Sequence, residues 1–183
     1  ANPAGDRFIR EILLPVLAER GRPWGMMIGA RRLVNPGLRD GGDTEGKADV
    51  LSVANLCRDF PQNKFMVTML AREDQHELCT AARKFGNLLV FGCWWFLNNP
   101  SLVEEITRMR LELLGTSFVP QHSDARILDQ LLYKWEHSRR IIGKALVDKY
   151  VDLEASGFKM TKRHIQADVA RLFRENYREF LRR

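Results

Sequence analysis

Residues 65–91 read FMVTMLAREDQHELCTAARKFGNLLVF, and the parsing of that stretch decides the fold. It opens on an apolar run, Phe65 to Leu70, crosses the charged Arg72-Glu73-Asp74 and closes on a second run, Leu88 to Phe91. Between the runs Leu78, Ala82 and Phe85 recur at helical spacing, and Gly86 ends the pattern. A strand apolar on both faces, a helix and another such strand make one β/α/β unit of a parallel sheet covered by helices.

The alternation extends in both directions. Upstream lies the run Met26 to Gly29, and downstream Ser117 to Val119, so four strands are expected. Leu51, Ala54 and Cys57 mark an intervening helix that stops before Pro61. Leu102, Ile106, Met109 and Leu113 mark another, opened by Pro100 and closed by Gly115. An N-terminal helix carries Ile9, Ile12, Leu13, Val16 and Leu17 on one face, is bent or begun at Pro15, and ends at Gly21. After the fourth run, Leu128, Leu131, Leu132, Trp135, Ile142 and Leu146 trace one long stripe. Ile165, Val169, Leu172, Phe173 and Phe180 trace a final helix that Thr161 would cap. No linker breaks the pattern, so residues 1–183 read as a single (β/α) domain, with 148–183 as its terminal helical extension.

Composition narrows the class further. Of 183 residues, 45% are hydrophobic and 28% charged, which excludes disordered, collagenous and low-complexity chains. The longest apolar run, Leu88 to Leu97, falls short of the roughly 18 residues that span a bilayer and contains Gly92. A net charge of +6 permits an anionic ligand without requiring one. Cys57, Cys79 and Cys93 are odd in number and sit on apolar faces, which fits a reducing, cytoplasmic setting. The start at Ala1, with neither Met nor a charged and apolar leader, fits a processed or truncated chain.

Parallel β/α units form either an open doubly wound sheet or part of a TIM (β/α)8 barrel, and about 250 residues are needed to close a barrel. Both topologies put ligands at the carboxyl ends of the strands. That selects Arg31 and Arg32; Arg72, Glu73 and Asp74; Trp94, Trp95, Asn98 and Asn99; and His122, Asp124 and Arg126. The adjacent tryptophans can be core packing or the wall of a sugar pocket. Ser123 or Asp124 can cap a helix opening at Ala125. Arg126 in its first turn would then oppose the macrodipole, which calls for an anionic partner.

Other motifs carry less. Residues 41–47 have the glycine and lysine spacing of a phosphate loop, but Ala48 stands where Ser or Thr would hold magnesium and no strand leads in, so a surface or lid loop is expected. The stretch 159–183 holds eight basic and three acidic residues interleaved with an apolar face, the pattern of an ordinary helix surface rather than a nucleic-acid stripe. His76, His137 and His164 read as surface residues. With no His pair at i, i+4 and no Cys-x-x-Cys, a complete metal site cannot be assembled from this chain.

Several stretches together resemble the uronate (glucuronate) isomerases of the amidohydrolase superfamily. They are Phe91-Gly92-Cys93-Trp94-Trp95-Phe96-Leu97-Asn98-Asn99-Pro100, Thr107-Arg108-Met109-Arg110, Pro120-Gln121-His122-Ser123-Asp124-Ala125-Arg126, Tyr133-Lys134-Trp135 and Lys64 to Leu70. The resemblance runs over nearly the whole chain but covers only the C-terminal half of that family's barrel. It implies an α/β fold whose parallel (β/α) units form the C-terminal half of a TIM barrel, with a helical C-terminal extension. It implies metal-assisted interconversion of D-glucuronate with D-fructuronate and of D-galacturonate with D-tagaturonate. Asp124 would be a metal ligand and take part in proton transfer, Arg126 would be catalytic and contact substrate, and Trp94, Trp95 and His122 would bind substrate beside it. The metal would be divalent, zinc by expectation. Its site is incomplete here, because the family's His-x-His has no counterpart and Met27-Ile28-Gly29 stands where some branches have His-Ile-Gly.

Such chemistry needs these side chains. Aldose to ketose conversion moves a proton from C2 to C1 through a cis-enediol, so a carboxylate must sit beside the carbon and a cation beside the developing oxyanion. Arg31, Arg32 and Arg72 are candidates for the substrate carboxylate by position. Expected partners are a uronic acid and the N-terminal half of the barrel or a second copy, with no nucleic acid and no membrane. Two rival readings stay open: a metal-dependent hydrolase of the same superfamily, and a non-catalytic basic interaction module.

Overall fold

The computed structural model describes residues 3–183; Ala1 and Asn2, on which the reading of the start rests, lie outside them. The chain begins with α1 (Pro3–Phe8), a π-turn (Ile9–Leu13) and α2 (Leu14–Glu19). β1 (Trp24–Ile28) follows, then a small hairpin of β2 (Ala30–Arg31) and β3 (Thr44–Glu45), α3 (Val50–Asp59), β4 (Phe65–Met69), α4 (Gln75–Ala82) and β5 (Leu88–Val90). The rest is helical: α5 (Pro100–Leu114), α6 (Leu128–Ala155), α7 (Lys162–Ala170), a second π-turn (Arg171–Glu175) and α8 (Asn176–Arg182). Position 148 lies inside the continuous α6.

β1, β4 and β5 form one parallel sheet in the order β1-β4-β5, with Trp24, Phe65 and Leu88 in register. The expected fourth strand is shorter than its apolar run. Only Val119 joins the sheet, parallel to Phe91, with Gly92 N–H donating to its carbonyl at 2.8 Å and its own N–H to Val90 O at 3.0 Å. Pro120 has no N–H to carry the ladder on, and Gly92 at φ +71° bends the neighbouring chain away.

In-register pairing separates two faces. Phe65, Val67, Met69, Leu88 and Val90 pack outward against Val50, Val53 and Cys57 of α3 and Leu78 of α4. On the opposite face, Met66, Leu89, Phe91 and Val119 receive Phe180 of α8. The last helix therefore crosses beneath the sheet. Lys64 Nζ donates to Leu181 O at 3.0 Å, and Asn176 Nδ2 to Phe118 O at 2.9 Å. Val103 and Ile106 of α5, Ile142 and Leu146 of α6, Phe118 and Leu172 make a separate core.

Helix punctuation follows the sequence. Asn99 accepts from Leu102 N–H before Pro100, Gly115 closes α5 at φ +59°, and Thr161 accepts from His164 N–H to open α7. Inward faces are less faithful. Leu51 is exposed and α3 buries Val50 and Val53 instead. α5 turns Val103, Ile106, Thr107 and Arg110 inward, leaving the expected Leu102, Met109 and Leu113 half-buried. In the first helix the π-turn inserts an extra residue and rotates the face, so Leu14 is fully buried while Ile12 and Val16 lie open. On α6 the early stripe is not core: Leu128 and Leu132 are 80% and 76% exposed, and burial begins at Ser138. That half of α6 instead borders an apolar groove of about 680 Å³ with Trp135, Val169 and Phe173. Ile165 and Val169 are likewise exposed. All three cysteines are buried and unbridged, and burial pushes the Cys57 thiol up to about 12. No described helix is long and apolar enough to cross a membrane.

Candidate active site

Segments leaving the carboxyl ends of the strands enclose a cleft of about 790 Å³, lined by Trp94, Trp95, Asn98, Asp124, Arg126 and Lys134 and by Arg32, Asp40, Asp43 and Tyr133. After β1 the chain does not form a loose loop. Gly29, at φ +107°, turns it into the β2–β3 hairpin, and Gly46 N–H closes on Gly29 O at 2.8 Å. Residues 41–47 thus span the end of a short helical turn and β3, and the next helix opens only at Val50. Asp43 accepts from Leu33 N–H at 2.8 Å and from the Arg32 guanidinium, which together hold its carboxyl below the usual range. Arg32 is therefore already neutralised, and Arg31 packs beside Gly46 outside the cleft lining.

The segment after β4 turns away from the cleft. Arg72 pairs with Glu105 at 2.9 Å, and Asp74 accepts from Ala48 N–H at 2.9 Å. Neither they nor Glu73 line the cavity. Beneath them Gln75 donates to Met69 O at 2.8 Å and accepts from Arg110 Nη2 at 2.9 Å.

After β5 the chain supplies both tryptophans. Trp94 is buried, with its ring centroid 6.0 Å from that of Trp95, which stacks on Phe96 at 4.8 Å. Packing and pocket wall prove compatible: Trp94 belongs to the core and still borders the cleft. Trp95 adopts φ +48°, a region L side chains rarely occupy without surrounding restraint.

After Val119 come His122, Asp124 and Arg126. The cap reading fails, because α6 opens at Leu128 with Ile127 as its cap residue and no side-chain cap bond. Arg126 consequently lies ahead of the helix rather than in its first turn, with its backbone N–H donating to Gln130 Oε1 at 2.9 Å. Asp124 adopts φ +46°, and its carbonyl accepts from Lys134 Nζ at 3.1 Å. No carboxylate pairs with Arg126 or Lys134 among the described residues, so both charges stand uncompensated at the cleft. His122 is not on the cleft surface. Its ring packs 5.1 Å from Phe91 and 6.2 Å from Trp94, directly over Gly92. Burial lowers its pKa to about 4 against a weaker upward pull from Asp124, which leaves it neutral at pH 7.

The cleft thus gathers Trp94, Trp95, Asn98, Asp124 and Arg126 from the strand-end set, together with Arg32, and leaves out His122, Arg31 and Arg72. Lys134, Asp40 and Asp43 were not singled out as site residues by sequence reasoning. Lys134 stands only inside a motif, Asp43 lies in the segment expected to be a surface or lid loop, and Asp40 just precedes it. Among the described residues no three His, Cys, Asp or Glu side chains gather as a metal site would require, so the donors present do not by themselves fit the metal that the resemblance implies.

No protein-family model matches the chain, and no curated protein sequence does. Solved structures do. A uronate isomerase from Bacillus halodurans superposes with a TM-score of 0.96 at 53% identity, over 100% of this chain and 43% of that one. A uronate isomerase from Thermotoga maritima gives 0.80 at 18% identity, over 92% and 39%. A glucuronate isomerase from Caulobacter crescentus gives 0.74 at 18%, over 92% and 37%. At that identity the last two speak for the fold alone. The chain spans less than half the length of the structures it matches. The resemblance read from the motifs is borne out, and the parallel units are those of part of a TIM barrel.

Proposed function

We propose that this chain, similar over its whole length to one uronate isomerase, is the C-terminal half of such an enzyme, and that its cleft is half of an aldose–ketose isomerase site for D-glucuronate and D-galacturonate. The observation that carries this reading is that Asp124, Arg126 and the paired tryptophans, 30 residues apart in sequence between Trp94 and Asp124, border one cavity at the carboxyl mouth of a parallel sheet. Asp124 would act as the base that moves the proton between C2 and C1. Arg126 would stand against the developing enediolate oxygen, where a fixed cation lowers the barrier most. Of the three arginines considered for the substrate carboxylate, Arg32 and Arg72 are occupied by Asp43 and Glu105, and Arg31 lies off the cleft. Lys134, uncompensated and on the cleft wall, is the better counter-charge. The flat faces of Trp94 and Trp95 suit the apolar side of a sugar chain.

The missing half of the barrel would supply the remaining strands. Among the described residues β1 has no strand partner on its outer edge, while Met27 on its inner face borders the cleft and is 47% exposed. A divalent metal, zinc in our reading, would take Asp124 as its one ligand from this chain, and no step above runs through it. A second copy is the alternative cover, and a cytoplasmic setting accords with three unbridged cysteines.

The test is isomerisation of both uronates by the full-length protein carrying this sequence, followed by proton NMR. Asp124→Asn should lower kcat by about 10³-fold. Hydrolysis of an ester or lactone with no uronate turnover would replace this reading by the hydrolase one.

A further inference from the structure

We infer that Gln121 is the positioning residue of the cleft, a single buried amide that fixes the tryptophan wall relative to the loop bearing Asp124. The inference rests on the isomerase reading for its kinetic consequence but not for its geometry. Gln121 is 2% exposed and makes three hydrogen bonds to two other segments. Its Oε1 accepts from Cys93 N–H at 2.8 Å, and its Nε2 donates to Asn98 Oδ1 at 2.9 Å and to Ser138 Oγ at 3.0 Å.

The placement of these contacts gives them meaning. Cys93 and Asn98 bracket Trp94 and Trp95, so one side chain grips the tryptophan segment at both its ends. Ser138 belongs to α6, the helix whose Lys134 and Gln130 hold Asp124 and Arg126 from the other side. Gln121 itself lies three residues before Asp124. The strained φ of Trp95 and of Asp124 needs this over-determination, since neither conformation persists by local preference. Glutamine suits the place because it accepts once and donates twice without bringing a charge beside the neutral His122.

A merely structural role, saturating buried polar groups, would move stability alone. Positioning makes a different prediction, because a displacement of about 1 Å at a reacting centre can cost about 10²-fold in rate. In the full-length protein, Gln121→Met keeps the volume and removes all three bonds. It should shift the indole N–H signals of Trp94 and Trp95 while that of Trp24 stays in place, and lower kcat by about 10²-fold with KM changed less than about threefold. Gln121→Glu, able to accept from Cys93 N–H and the Ser138 hydroxyl, should recover part of both. Unshifted Trp94 and Trp95 signals in a folded Gln121→Met protein would overturn the inference. If that variant does not fold, Ser138→Ala decides: a smaller shift of the same two signals supports positioning, and no shift overturns it. If the parent protein turns over no uronate, the isomerase reading fails while the indole signals still judge the clasp.

Discussion

The two mouths of the sheet are built to opposite ends. At the amino mouth, side-chain amides tie loops together. Asn63 donates to Leu14 O at 2.7 Å, Asn87 to Cys57 O and Asn63 O at 3.1 Å each, and Asn176 to Phe118 O, while Phe180 closes the inner face. At the carboxyl mouth the chain carries four non-glycine residues at positive φ, Leu33, Arg39, Trp95 and Asp124, and two cations with no carboxylate paired to them among the described residues. Among the described residues, the buried Trp94 Nε1 and His122 Nε2 find no hydrogen-bond partner there. The difference teaches that strain and open charge gather where the strands end, as parallel β/α folds generally arrange them, while the other mouth is closed by amide–carbonyl ties and an apolar plug.

Removing the plug at the amino mouth should have the largest energetic effect. Phe180→Ala is expected to cost about 4 kcal/mol in denaturant unfolding, with the spectral signature of the cleft tryptophans unchanged. A native-like stability would mean that the terminal helix does not seal the sheet. Gly92→Ala strikes the other mouth. Its new Cβ would lie 2.1 Å from His122 Cδ2 at a φ of +71°, and a loss of about 3 kcal/mol together with displaced tryptophan signals is expected. Gly86→Ala, with open space around it, serves as the control and should be nearly neutral.

Acid should weaken the carboxyl mouth first. His122 has a folded pKa of about 4 against an ordinary 6.5, so between those values the unfolded chain binds the proton more readily. Its contribution is complete above pH 6.5 and drains away toward pH 4, amounting to about 3 kcal/mol. His122→Gln should flatten that part of the stability profile measured by urea titration; an unchanged slope would assign it to another group. The smallest effect belongs to Arg140→Ala, which removes an exposed helical ion pair with Glu136 and should change stability by less than about 0.5 kcal/mol at either mouth.

Much of this contrast was legible beforehand. Phe65 to Leu70 and Leu88 to Phe91 announced buried parallel strands because runs apolar on both faces have few other uses, and Asn99-Pro100 and Gly115 bounded α5 through local chemistry alone. What escaped was whatever depends on contacts distant in sequence. A π-turn leaves no periodic trace, so the first helix was read with its face rotated. The apolar start of α6 looks like core but faces the groove instead. The motif containing Asp124 and Arg126 pointed to the cleft, yet the same motif held His122, which packs behind it, and Gln121, whose three partners lie 17 to 28 positions away. Lys134 met Asp124 only because the helix doubled back beside its own approach.

The crossing of α8 beneath the sheet carries a consequence for biosynthesis. Residues 176–182 are translated after every strand described here, so Met66 and Leu89 remain bare on the nascent chain until those residues emerge from the ribosome. Sealing of the barrel floor is thus a late event, and a ribosome stalled before Asn176 would display an adhesive apolar surface that chaperones are suited to hold.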